Sequence, residues 1–140
     1  MRIVADTNLL ISSIFWNGPP YKIILLALDK KIDIFISEFI LNEVRNVLKN
    51  PKEGFCLTEQ EIEDIIRVIL SYVKIVKPRE IKEIVMRDPK DDNILACGLT
   101  AKADFIITRD KDLLDLKEYV KIKIITPEQF LNNNLYISRF

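Results

Sequence analysis

The residues best placed to do chemistry are acidic, and they fall at separate points along the 140-residue chain: Asp6, Glu43, the pair Asp91 and Asp92, and Asp110 with Asp112. There is no histidine, which removes the commonest general base and with it a Ser-His-Asp triad, an HExxH protease and a histidine-based ribonuclease. Carboxylates must therefore carry any hydrolytic chemistry. Carboxylates that converge cannot all stay ionised at neutral pH unless a cation neutralises them; otherwise some take up protons. Oxygen-only ligands, with neither histidine nor a paired cysteine, suit Mg²⁺ or Mn²⁺ and argue against zinc or copper. Such ions lower the pKa of bound water, orient it for in-line attack and stabilise charge building on a phosphodiester. Phosphodiester hydrolysis is the reaction that fits this set best.

The bulk numbers place these residues in one soluble domain. A length of 140 residues allows a core without disulfides or a structural metal. An apolar share of 49% with 30% charged residues is that of a globular protein, and no apolar run is long enough to span a bilayer. Lys plus Arg and Asp plus Glu both number 21, so only the local distribution of charge bears on a nucleic-acid partner. Cys56 and Cys97 read as reduced, structural thiols of a cytoplasmic protein. The opening Met1-Arg2-Ile3-Val4-Ala5-Asp6 is expected to be a strand rather than an export signal.

Strands and helices alternate in the pattern. Arg2 to Ala5 is a β-branched strand, followed by helical spacing from Leu9 to Phe15 that Asn17-Gly18-Pro19-Pro20 interrupts. A second helix is predicted from Pro20 or Tyr21 to Lys31, then a strand over Asp33 to Ile36. Ser37 caps a helix to about Asn50 with the apolar stripe Phe39, Ile40, Val44, Val47 and Leu48. Thr58 and Glu61 form a capping box for a helix ending near Tyr72, and Val73 to Val76 is a strand. Pro78 to Pro89 is a short helix or loop. Asp91-Asp92 is expected to open a helix, Phe105 to Thr108 is a strand, and Asp110 caps a short helix. Val120 to Ile125 is the last strand, and Thr126-Pro127-Glu128-Gln129 starts the last helix. The expected fold is a three-layer α/β/α sandwich around a mainly parallel sheet of four to five strands, over residues 1–132, with a tail over 133–140.

In such a sheet, ligands bind beyond the carboxyl ends of the strands. Asp6 follows the first strand, Thr108 and Asp110 follow the fourth, and the helix of Asp92 begins at that same edge. Glu43 lies about two turns into the helix after the second strand, on the side away from most of its apolar residues. Each has an ordinary explanation too: Asp6, Asp92 and Asp110 are good helix caps, and Glu43 suits a solvated helix face. Those explanations do not account for their concentration at one edge.

The segments Ile3-Val4-Ala5-Asp6-Thr7-Asn8, Leu41-Asn42-Glu43-Val44, Asp91-Asp92-Asn93-Ile94-Leu95-Ala96 and Thr108-Arg109-Asp110-Lys111-Asp112 together resemble PIN-domain nucleases of the small, VapC-like prokaryotic type, over nearly the whole chain. The resemblance implies Asp6, Glu43, Asp92 and Asp110 as the catalytic, metal-binding set, with Asp112 as a further ligand. Asn8, Thr108 and Asp91 are then supporting residues. Either Asp91 or Asp92 fits as ligand, and the spacing to Ala96 favours Asp92. It further implies Mg²⁺- or Mn²⁺-dependent cleavage of RNA, a toxin's place in a toxin-antitoxin pair, an antitoxin protein as partner, and a homodimer or higher homo-oligomer.

Arg87, Lys90, Arg109 and Lys111 bracket the acidic positions, as phosphate-holding residues or as plain surface charge. Phe15 and Trp16 are read as core or subunit contacts in preference to a base-stacking pair. Two other functions fit parts of the pattern. A haloacid-dehalogenase-type phosphatase also opens with a strand and an Asp, but needs a second Asp where Asn8 stands. A catalytically inactive PIN-like scaffold binding RNA or protein would have no reason to keep self-repelling carboxylates.

Overall fold

The computed structural model describes residues 1–79 and 88–133. Its centre is a six-stranded sheet in the order β3-β2-β1-β4-β6-β5. The inner strands β1 (Arg2–Ala5), β2 (Asp33–Ser37) and β4 (Phe105–Ile107) are almost wholly apolar and buried, as strands covered on both faces must be. β3 (Val73–Val76) is one edge, and β6 (Ile122–Ile125) continues the sheet beyond β4. All these pairings are parallel, with Ile3 opposite both Ile34 and Phe105.

The chain works outward from β1 to β2 and β3, then returns to the other side of β1 with β4. The order therefore reverses between β1 and β4, and their carboxyl ends flank the crevice that such a reversal leaves.

Helices α1 (Thr7–Phe15), α2 (Pro19–Leu28), α3 (Glu38–Lys49), α4 (Glu59–Leu70) and α7 (Pro127–Asn132) form one connected packed set. α5 (Pro89–Ala101) lies across β1, β2, β3 and β4, and α6 (Lys111–Leu116) lies on β6. The sheet is thus flanked by helices, as the alternating pattern predicts. The capping boxes of Thr58 with Glu61 and Thr126 with Gln129 are both formed, each with its two reciprocal hydrogen bonds. Cys97 is fully buried beneath α5, where desolvation pushes its thiol up to about 12, so it is packing and not chemistry.

Three expectations are corrected. The sheet has six strands because the expected strand over Val120 to Ile125 is broken: Glu118–Tyr119 forms β5, antiparallel to β6, and the turn between them is Val120-Lys121. Both turn residues take left-handed backbone angles, φ 47° and 67°, as a two-residue hairpin requires. A β-branched valine at such a turn resembles strand sequence, which is why propensity misreads it. Helix α5 begins at Pro89, capped by Asp88, and not at Asp91-Asp92; proline at the first helical position is the signal. Phe39 does not join the apolar stripe of α3 and is 44% exposed. The expected short helix or loop over Pro78 to Pro89 lies in large part outside the described residues, as does the tail beyond Asn133.

Gly98 sets how closely α5 can approach the sheet. A Cβ there would stand 3.1 Å from Ile106 Cδ1 and 3.2 Å from Ile122 Cδ1. Gly98→Val places two further methyl groups in that space, and overpacking of this kind costs about 1–3 kcal/mol. Urea unfolding of the variant is expected to show a lower midpoint at unchanged slope; a midpoint equal to or above the parent's would show that the α5 contact has slack.

Candidate active site

Two strand-to-helix junctions at the β1/β4 crevice each deliver a carboxylate by way of a helix cap, and the first turn of α5 delivers a third carboxylate. Asp6 follows β1 and caps α1, accepting from the Leu9 amide at 2.8 Å through Oδ1. Its other oxygen, Oδ2, accepts from the hydroxyl of Thr108 at 2.5 Å. Thr108, fully buried at the end of β4, also accepts from the Asp110 amide at 3.0 Å. One hydroxyl thereby uses its donor and an acceptor to hold the ends of β1 and β4 and the start of α6 in register. Asp110 caps α6 through Oδ1, which accepts from the Asp112 amide at 2.9 Å.

The third carboxylate comes from α5. With its first turn at Pro89, Asp91 is turned inward and is 4% exposed. Carboxylate oxygens of Asp91, Asp110 and Asp112 all lie within 4.8 Å of one another, and they are the one such group among the described residues. Asp92, which the spacing to Ala96 favours, is outside it. Successive helical residues point about 100° apart, so the true start of α5 decides which neighbour faces the crevice. Ser37 at the end of β2 donates to Asn93 at 2.8 Å, which fixes the rotation of that first turn.

Asp6 and Glu43 complete the surroundings. Burial is the main reason the Asp6 carboxyl is held above its ordinary range; the bonds from Thr108 and Leu9 oppose this, and the charges of Asp110 and Glu43 add to it. Asp91 is raised from 3.8 to about 7 by burial first, then by the charge of Asp110, Asp88 and Asp112 and by a side-chain hydrogen bond with Asp110. Asp88 is a contributor that sequence reading passed over, although an Asp directly before a Pro is a legible cap.

The remaining expected residues divide. Asn8 is exposed and, with Asp6, Leu9, Ser12 and Arg109, lines a small cavity of 20 Å³ beside the crevice. Arg109 is committed to an ion pair with Glu128 at the start of α7, so it braces the edge of the sheet. Lys111 opens α6 and Lys90 sits in the first turn of α5, both exposed. Arg87 lies outside the described residues. Phe15 and Trp16 are at the far end of α1 from Asp6, about 13 Å along the helix, where Phe15 packs on Phe55 at a ring separation of 4.9 Å.

The donor set fits a hard divalent cation: several carboxylate oxygens, no nitrogen or sulfur, and a repulsion that binding would relieve. Comparison with known proteins agrees with that chemistry. The family model described as PIN domain matches residues 2–112. The chain belongs to the PIN-domain family. Members are typically metal-dependent nucleases, so a hydrolase is the coarse reading of this PIN domain's crevice. An uncharacterized protein of Methanocaldococcus jannaschii is 33% identical over 141 residues, covering 94% of this chain and 90% of that one. Among solved structures, a chain of the VapBC2 complex of Rickettsia felis, bound to a DNA fragment from its promoter, superposes with a TM-score of 0.62. It is 18% identical, and the match covers 90% of this chain and 98% of that one. That likeness establishes the shared fold. Membership also sets aside the phosphatase alternative.

The raised Asp91 carboxyl has a consequence for stability. Between about pH 4 and 7 the metal-free folded protein keeps a proton that the unfolded chain releases, so unfolding free energy falls as pH rises through that window and levels off above it. Asp91→Asn is expected to flatten this dependence and to raise the melting temperature of the metal-free protein at pH 8. A variant that melts lower than the parent at pH 8 would contradict the repulsion argued above.

Proposed function

We propose that this PIN domain is a Mg²⁺- or Mn²⁺-dependent endoribonuclease that hydrolyses phosphodiester bonds of single-stranded RNA. The observation that carries the reading is the gathering of Asp91, Asp110 and Asp112 at the β1/β4 crevice, beside Asp6 and within electrostatic reach of Glu43. In this reading Asp6, Asp91 and Asp110 hold the metal, with the more exposed Asp112 beside them and Glu43 acting on Asp6 through its charge. Asp91 takes the place that the family resemblance favoured for Asp92. A bound Mg²⁺ or Mn²⁺ would supply the charge that activates a water and stabilises the transition state of an in-line displacement.

The chain's own residues account for the rest. Thr108 and the Leu9 amide fix the Asp6 carboxylate so that its remaining lone pairs face the crevice in one orientation. Asp110 is held in the same way by its cap bond to Asp112. In this reading Glu43, less buried than Asp6, takes a proton from water. Lys90 and Lys111 flank the crevice and offer charge to phosphates on either side of the cut.

The toxin role is proposed on the VapC-like sequence resemblance, with the fold shared with the VapBC2 chain consistent with it. An antitoxin protein would then be the partner, in the cytoplasm. Among the described residues, no helix is long and apolar enough to cross a membrane. A homodimer or higher homo-oligomer is proposed on the exposed Tyr21, Leu25 and Leu28 of α2.

Purified protein is expected to cleave single-stranded oligoribonucleotides with Mg²⁺ or Mn²⁺ and to stop on addition of EDTA. Asp91→Asn should cost about 100-fold or more in rate, the scale of losing a preorganised charged group at a reacting centre, while Asp92→Asn stays within a few fold. Equal losses at the two positions would return the ligand assignment to Asp92. Cleavage surviving Asp6→Asn combined with Asp91→Asn would falsify the site itself. Growth arrest on expression, relieved by a neighbouring gene for a small DNA-binding protein, tests the toxin role separately.

A further inference from the structure

From the groove that runs along α3 away from the acidic crevice, we infer a nucleobase-recognition site in which Phe39 stacks on an unpaired base and Asn46 reads its edge. The inference rests on the nuclease reading and deepens it. The groove has a volume of 350 Å³ and is lined by Phe39, Glu43, Asn46, Val47, Asn50 and Lys90 among others. That volume lies in the range of small-ligand sites, about 300–1,000 Å³, which admits a nucleotide and excludes a folded partner.

Continuity with the crevice comes from two shared residues. Glu43 forms part of the groove wall, and its charge acts on Asp6. Lys90 forms the other side and directly precedes Asp91. An RNA strand with one phosphate at the carboxylates therefore has its neighbouring nucleotide at the mouth of the groove, with Lys90 beside the connecting phosphate.

The two residues assigned to recognition have no structural employment that explains them. Ile40, Leu41, Val44 and Leu48 of the same helix are buried, but Phe39 is 44% exposed at its first turn. Two asparagines of the groove are engaged: Asn42 accepts from Arg45 at 3.1 Å, and Asn50 accepts from the Lys52 amide at 3.0 Å. Asn46 is exposed and makes no hydrogen bond within the described residues. A primary amide offers two donors and a carbonyl acceptor, the complement that base edges require. Aromatic stacking combined with side-chain hydrogen bonds to exposed edges is the general means of reading unpaired RNA. The groove also carries Glu43 and Glu53 against the single Lys90, so it suits a neutral base better than a phosphate, which is left to Lys90 at the mouth.

The test uses oligoribonucleotides of one length in which the position beside the cut is each of the four bases or an abasic residue. The parent protein is expected to prefer substrates with a base there and to rank the four. Phe39→Ala should lower kcat/KM on the preferred substrate about tenfold, the scale of one base-aromatic stack, bringing it toward the abasic rate. Asn46→Ala should shrink the spread among the four bases about fivefold, the scale of one lost hydrogen bond. Parent-like cleavage of every substrate by both variants overturns the inference; if they instead lose rescue by the partner protein, the groove belongs to that protein. A parent that cleaves none of the oligonucleotides defeats the nuclease reading along with this one.

Discussion

Everything at the carboxyl edge of this sheet answers to the mutual repulsion of carboxylates held closer together than water would leave them. Asp91, Asp110 and Asp112 meet within ligand distance, and Asp6 is buried beside them. Burial first, and then the charge of the neighbouring carboxylates, holds the carboxyls of Asp6 and Asp91 above their ordinary range, Asp91 at about 7. No local folding preference would create such a cluster, because each pairwise approach raises the energy of the charged forms. The framework must impose it, and in the proposed reading a divalent cation relieves it.

The framework does so by assigning each carboxylate a second task that favours its position. Asp6 and Asp110 are N-caps, and Asp91 lies in the first turn of α5, so three helix N-termini point at the cluster. The partial positive charge at those termini offsets part of the repulsion. Capping and metal binding, which compete as explanations when each Asp is considered alone, are compatible here: one carboxylate oxygen serves the helix, and lone pairs remain for the crevice. Thr108 removes the remaining freedom by joining Asp6 to the Asp110 amide across the ends of two strands. The hydroxyl contributes no charge, yet it determines the distance at which charges meet.

Much of this was legible in the sequence because it depends on local signals. The apolar runs at β1, β2 and β4, the two capping boxes, and the placement of Asp6 and Asp110 at strand-to-helix junctions are all properties of short segments. What escaped depends on rotation or on distant partners. The choice between Asp91 and Asp92 turns on where α5 starts, and the Asp88-Pro89 cap was hidden at the end of a segment read as a short helix or loop. The ion pair of Arg109 depends on Glu128, 19 residues onward, a partner that no local pattern announces. Val120-Lys121 reads as strand because the turn there lacks the Asn-Gly signature, and its left-handed geometry is imposed by the pairing of β5 with β6.

The balanced charge of the chain, 21 of each sign, conceals an arrangement that bears directly on substrate approach. The crevice without a cation is a concentrated negative site, and a polyanion would be repelled from it. Lys90 and Lys111 are exposed and adjoin Asp91 and Asp110 in the chain, so in the proposed reading they would hold flanking phosphates and leave the centre unneutralised. Attraction of a nucleic acid to the margins and its admission to the centre are therefore separable, the first governed by exposed lysines and screened by salt. Admission to the centre would require the charge deficit there to be made up, and the groups that shift Asp6 and Asp91 by their charge are all acidic. In the proposed reading, an acidic crevice with lysines beside it in the chain would make metal occupancy a condition for productive binding as well as for chemistry, a stricter requirement than catalysis alone would impose.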